Sequence, residues 1–306
     1  MKIATMATGG IGGYLAVRLG NSGHQVATIA RGAHLEAIKE SGLVLETSGG
    51  SHSARPWIAT SDPKDVGEVD AIIFGVKGDG LEPAARACRP MVGANTIVIP
   101  FLNGVEASDR LTDILPAGNV GNGVAHISTT ITAPGIIRQT GEFNRFIFAE
   151  RDSRPSARID ALRTAIDEAG ASAPATDDID RDLWSKFVLF SAMSGVTAAA
   201  RCTIADIKSN DHLSALFKAI LAETASLGRA RGVALSDTIE ADTWSMVQGM
   251  PPGMRASTAI DLEKGRPLEI EWVSGAVDRL SQAAGLQAPD NRTIYALLTP
   301  YQHGRP

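Results

Sequence analysis

Apolar and polar positions follow two different rhythms along this chain, and the change of rhythm divides it. In the first half, short apolar runs at residues 3–6, 25–30, 71–76 and 96–101 predict buried strands. Between the first two, residues 11–22 carry Tyr14, Leu15, Val17 and Leu19 at helical spacing, and 34–41 and 81–88 predict shorter helices. Strand–helix–strand alternation with continuous apolar strands predicts a parallel, doubly wound sheet. From 119 to 150 the pattern turns β-rich, with Ala133-Pro134-Gly135 as a turn, which predicts an antiparallel extension at the edge of that sheet. Residues 172–178 are rich in turn formers. Beyond them the periodicity is almost wholly helical, predicting helices at 183–200, 213–231, 238–250, 257–264, 269–284 and 291–298.

Composition narrows the class. A chain of 306 residues with 44% hydrophobic and 21% charged positions is expected to form about two domains with their own cores. A net charge of −5 offers no basic footprint, so neither nucleic acid nor an anionic membrane is expected as a partner. Two cysteines, Cys88 and Cys202, make neither a disulfide framework nor a cysteine zinc site. The six histidines, His34 and His126 among them, show no HExxH spacing, and no metal is expected. The N-terminus runs into a glycine cluster without a signal-type apolar segment, and the apolar-leaning stretch 187–200 is too short to span a bilayer, so the expected location is the cytoplasm.

Candidate chemistry begins at Ala7-Thr8-Gly9-Gly10-Ile11-Gly12, where the first strand should turn into the first helix. A dinucleotide fingerprint has Gly-x-Gly-x-x-Gly there. Gly9 would let the backbone approach a pyrophosphate, Gly12 would let helix and strand pack closely, and the amides of Gly10 and Ile11 would face the anion. Ala7 replaces the first glycine and requires a negative φ. A glycine-rich structural turn is the alternative. The second strand ends at Arg31, not at the Asp or Glu that binds a ribose 2′-hydroxyl. A guanidinium pairs with a 2′-phosphate, so NADPH is the expected cofactor, unless Arg31 is merely solvent-exposed. The expected fold is therefore α/β: an N-terminal Rossmann-type doubly wound sheet in residues 1–174, followed by an all-helical domain in 175–306.

Several blocks, in order, resemble the ketopantoate reductase (2-dehydropantoate 2-reductase) family of the 6-phosphogluconate-dehydrogenase-like superfamily. They are Met1–Ala4 with Gly9–Tyr14, Ala30–Leu35, Val76-Lys77, Leu102–Val105, Trp184-x-Lys186, Ser257 with Asp261, Gly265–Pro267 with Glu269, and Asn291-Arg292-Thr293-x-Tyr295. The resemblance implies NADPH-dependent reduction of a 2-oxo acid to a 2-hydroxy acid, most simply ketopantoate to pantoate in pantothenate biosynthesis, in a cleft between the two halves. It implies Lys186 as general acid and Glu269 as the second catalytic group, accepting a hydrogen bond from a substrate hydroxyl. It places Lys77 and Asn103 beside the nicotinamide or the substrate, and Ser257 at the substrate's carboxylate end. It also suggests a homodimer, by analogy with helical domains of the superfamily.

Each residue also has a plainer reading. Lys186 can snorkel from its helix. Lys77 can be an exposed loop lysine. Asn103 can cap a helix beginning near Val105, and Glu269 can complement a helix dipole in a first turn after Pro267. The match breaks at two positions on the Lys186 helix. Phe190 and Ser194, at i+4 and i+8, stand where the family carries substrate-contacting asparagines. This departure separates reaction type from substrate: a more apolar 2-oxo acid is the alternative to ketopantoate, and a non-catalytic NADPH-binding regulator is the alternative to an enzyme.

Overall fold

The computed structural model describes residues 1–304, which divide into two compact units. The first comprises Met1–Leu102 and Glu106–Ile179, and the second Asn103–Val105 and Asp180 onward.

The first unit opens with β1 (Lys2–Met6), α1 (Gly10–Asn21), β2 (Gln25–Ile29) and α2 (Gly32–Ser41). It continues with β3 (Leu43–Thr47), β4 (Gly50–Ala54), β5 (Ile58–Thr60), β6 (Val69–Phe74), α3 (Leu81–Cys88) and β7 (Val92–Pro100). It ends with α4 (Ala107–Thr112), β8 (Gly121–Ala133), β9 (Ile136–Glu150) and α5 (Ala157–Glu168). Five strands form a parallel sheet in the order β5-β2-β1-β6-β7. The chain leaves β1 toward β2 on one side and returns to β6 on the other. The carboxyl ends of β1 and β6 therefore mark the switch point, where such sheets bind ligands.

The β-rich segment is not an edge extension of this sheet. β8 and β9 pair antiparallel and join β3 and β4 in a second sheet, β4-β3-β9-β8, with β3 and β9 parallel. A single bridge, Val98 to Val120, is what remains of the expected edge pairing. Helix α1 lies between the two sheets, packing on β1 and β2 and also on β3, β4, β8 and β9. That is why Tyr14, Leu15, Ala16 and Val17 are all buried, and the helix has no polar face there. The β9 end of the second sheet is anchored by an ion pair: Arg158 of α5 donates to both oxygens of the buried Glu150 at 2.8 Å. Burial works against the Glu150 carboxylate, but these bonds hold its pKa below the usual value.

The second unit is helical: α6 (Ile179–Ala199), α7 (Ile204–Ser209), α8 (Asp211–Ala230), α9 (Ile239–Gln248), α10 (Ser257–Glu263), α11 (Ser274–Ala283) and α12 (Pro289–Leu298). Small residues set the close crossings on α6. A Cβ on Gly195 would sit 3.0 Å from Ile294 of α12, and one on Gly228 of α8 would sit 3.0 Å from Trp184. The helix expected over 269–284 is split. A 3₁₀ turn, Ile270–Trp272, precedes α11, and Glu269 lies ahead of it rather than within an α-helical first turn. Among the described residues, no helix is long and apolar enough to cross a membrane.

Candidate functional site

The glycine loop follows β1 at the switch point. Thr8 N–H donates to Ile29 O at 2.8 Å, and Gly75, just past β6, donates to Met6 O at 2.7 Å, so the ends of β1, β2 and β6 are tied together. Ala7 is not among the non-glycine residues with positive φ, which meets the condition set by its Cβ.

The glycines have different reasons for being glycine. A Cβ on Gly12 would lie 2.5 Å from Ala7 O, and one on Gly13 would run into Ile137 of β9 at 2.6 Å. At Gly10 it would meet Thr129 Oγ1 at 2.7 Å. These three positions are closed by the protein's own packing. At Gly9 the nearest atom would be Gly75 O at 3.7 Å, an ordinary contact. A Cβ there would close nothing inside the protein, so this position is open to close approach of a ligand. Gly9 is also the N-cap of α1 and makes no side-chain cap, so the amides of Gly10 and Ile11 begin a helix with its positive end at this loop. Arg31 is exposed at the N-cap of α2, directly after the chain leaves β2. Loop, helix end and guanidinium fit a dinucleotide carrying phosphates. Lys77 is exposed at the N-cap of the 3₁₀ turn Gly78–Gly80 that follows β6.

The second unit carries the other cluster. Asn103 does not cap a helix beginning near Val105: α4 starts at Ala107, and its N-cap is Glu106. Gly104 instead has φ +98°, and a Cβ there would lie 2.6 Å from Trp272 O, so glycine is required twice over. That close approach brings Asn103 beside the turn that begins after Glu269. Asn103 Nδ2 donates to Glu269 Oε2 at 3.3 Å, and Lys186 Nζ donates to Asn103 Oδ1 at 3.4 Å. Lys186 is set by α6, whose Leu183, Trp184, Phe187 and Val188 are buried in the helical core. One turn on, the Phe190 ring lies under the ammonium, with Nζ 5.6 Å from its centroid. Burial pushes the Lys186 pKa down to about 8, while the Glu269 carboxylate pulls it back up. A cation of this kind, held by an amide oxygen and next to a carboxylate, can give up a proton near neutral pH.

One expected substrate contact is turned into the helical packing. Ser194 is buried, and its hydroxyl pairs with Thr258 at 2.6 Å, docking α10 on α6, so it presents no surface to a substrate. Ser257 stands exposed at the first residue of α10. No group of His, Cys, Asp and Glu among the described residues could hold a metal ion.

The family model described as Ketopantoate reductase PanE/ApbA matches residues 3–153, and its C-terminal model matches 178–302. The chain belongs to this family. It is an oxidoreductase, as the family's members are, acting on CH–OH groups. A 2-dehydropantoate 2-reductase of Mesorhizobium japonicum is 30% identical over 97% of this chain and 97% of its own. An uncharacterised oxidoreductase of Bacillus subtilis is 26% identical over 99% of each. Among solved structures, a ketopantoate reductase of this family from Ralstonia eutropha superposes with a TM-score of 0.90 at 29% identity, covering 99% of this chain and 98% of that one. The fold is also that of D-mandelate dehydrogenase, solved with NADH and anilino(oxo)acetate (TM-score 0.89, 23% identity, coverage 99% and 98%).

Proposed function

We propose that this protein reduces a 2-oxo acid to the corresponding 2-hydroxy acid with NADPH, ketopantoate being the leading substrate. The observation that carries the reading is the Lys186–Asn103–Glu269 cluster, a part-buried ammonium whose pKa is pushed down to about 8. Bound NADPH would supply the hydride. As a carbonyl oxygen gains negative charge it needs a nearby cation and then a proton, and Lys186 Nζ supplies both. Asn103 Oδ1 orients Nζ, and Glu269 keeps the amine charged and accepts a hydrogen bond from a substrate hydroxyl. Gly9, with the amides of Gly10 and Ile11, would hold the pyrophosphate. Arg31 would hold the 2′-phosphate, which is the reason to prefer NADPH over NADH, and Lys77 would approach the nicotinamide end.

A second reading of the substrate rests on Phe190. An apolar ring beside the reacting ammonium favours a 2-oxo acid with an apolar side chain, because a polar group facing that ring loses a hydrogen bond worth about 1–3 kcal/mol. Both readings are tested by following NADPH oxidation with ketopantoate and with aliphatic and aromatic 2-oxo acids, in wild type and Phe190→Asn. If ketopantoate is the substrate, it has the highest kcat/KM in wild type. If the apolar reading holds, Phe190→Asn raises kcat/KM for ketopantoate by about tenfold and lowers it for the apolar acids. NADPH binding without turnover across the panel would contradict both and leave a cofactor-binding regulator.

A further inference from the structure

His34 joins three parts of the first unit. It sits in the first turn of α2, one turn beyond Arg31, and its Nε2 lies 2.9 Å from the Thr8 carbonyl oxygen. On the other side of the ring, the Gly135 amide, in the turn between β8 and β9, donates to Nδ1 at 2.9 Å. A backbone amide can only donate, so Nδ1 must be the bare nitrogen, and the proton sits on Nε2, which donates to Thr8. The two bonds therefore coexist only for the neutral ring in this one tautomer; a proton on Nδ1 would break the bond from Gly135 and leave the one to Thr8.

What the ring holds is the peptide between Thr8 and Gly9. The Thr8 carbonyl and the Gly9 N–H belong to one rigid plane, and Gly9 is the glycine that the protein's own packing leaves open. Thr8 is otherwise fixed by its own N–H on Ile29 and its hydroxyl on Thr5 at 2.8 Å. The plane is held at its N–H end, where Gly9 donates to Ala7 O at 2.9 Å, and at its carbonyl end by His34.

We propose that His34 is a positioning residue for cofactor binding: neutral, it anchors the Thr8–Gly9 peptide and the Arg31 end of α2 to the β8–β9 turn, and protonated, it keeps its bond to Thr8 but loses the Gly135 amide that seats the ring, so the loop loses that anchor and NADPH binding weakens. The inference rests on the reading of Gly9–Gly12 and Arg31 as the phosphate-binding groups. The segments touching the ring, residues 7–9 and 133–135, carry no titratable side chain. On α2 itself the charged groups are Arg31, Glu36, Lys39 and Glu40. Burial lowers the ring's pKa below 6.5 and the bond to Thr8 raises it, with no charged group among the causes. The sign follows: a lowered pKa means that the neutral, clamped form is complete above pH 6.5 and is lost as pH falls through the lowered value.

The experiment is direct titration of the full chain with NADPH, read as a dissociation constant at about pH 7.5 and about pH 5.5, in wild type and His34→Gln. The 2′-phosphate has its own ionisation near pH 6, which affects both proteins alike, so the difference between them is what is read. The expected result is binding about fivefold weaker in His34→Gln at the higher pH, and a smaller loss on acidification than in wild type. A second measurement, nitrogen chemical shifts of the His34 ring in the unloaded wild type, is expected to show the Nε2–H tautomer at neutral pH. Equal affinities and equal pH dependence in the two proteins would overturn the inference alone, as would an Nδ1–H tautomer. Failure of wild type to bind NADPH at either pH would overturn the cofactor reading and this inference with it.

Discussion

The glycine loop of the first unit and the lysine cluster of the second are built on opposite principles. The loop presents backbone: its usable atoms are amides, and its sequence signature is the absence of side chains at Gly9 and Gly12. The cluster presents side chains, from positions 103, 186 and 269, brought together only by tertiary packing. A backbone site is written in consecutive residues and tolerates little substitution for steric reasons. A side-chain site is scattered along the chain, and its chemistry depends on burial that no short segment encodes.

The comparison breaks first at Lys186. Lys186→Met removes the cation and the proton together and is expected to lower kcat roughly 10²–10⁴-fold while leaving the NADPH dissociation constant within about twofold. A comparable loss of NADPH affinity, measured by direct titration, would mean that the cluster holds cofactor rather than reacts. The next effect separates two glycines of one loop. In Gly12→Ala the new Cβ meets a backbone oxygen, so stability is expected to fall by about 1–3 kcal/mol in denaturant unfolding. Gly9→Ala meets nothing so close, and is expected to unfold like wild type but bind NADPH about tenfold more weakly. If both variants lost stability equally, the loop would be a structural turn. The smallest effect tunes the lysine. Glu269→Gln removes the carboxylate that raises the Lys186 pKa, so the alkaline break in the pH–rate profile should move below about 8. A break that stays put or moves upward would place the titrating group elsewhere.

How much of this was legible follows from the same contrast. β1, β2, β6 and β7 of the parallel sheet, α1 and the longer helices of the second half carry their periodicity in continuous windows, and the structure has them within a few residues of the expected bounds, whereas the three-residue edge strand β5 and the short α7 were not expected. β3 and β4 do not. β4 is Gly50-Ser51-His52-Ser53-Ala54, short and polar with no apolar face, and it exists because it pairs with β3 at the edge of the second sheet. The β8–β9 hairpin was readable as antiparallel, but its sheet was not, because the parallel β3–β9 pairing joins segments far apart in sequence. At the site, Asn103 reads locally as a helix cap, and only the demand of Gly104 for Trp272 explains why its side chain goes elsewhere. Ser194 shares a face with Lys186 by spacing, yet the slow rotation of that face over two turns carries it into the α10 interface. His34 had no local signal at all: its partners, Thr8 and Gly135, lie on either side of it in sequence and meet only in the folded unit.

The central claim is that Lys186 protonates a carbonyl during NADPH-linked reduction, and the pH dependence of kcat/KM tests it most directly. With the preferred 2-oxo acid, the wild-type value should hold steady at neutral pH and fall about tenfold per pH unit above a break near 8, because only the charged amine carries the proton. A profile that stays flat to about pH 10, or one that Lys186→Met reproduces, would contradict it.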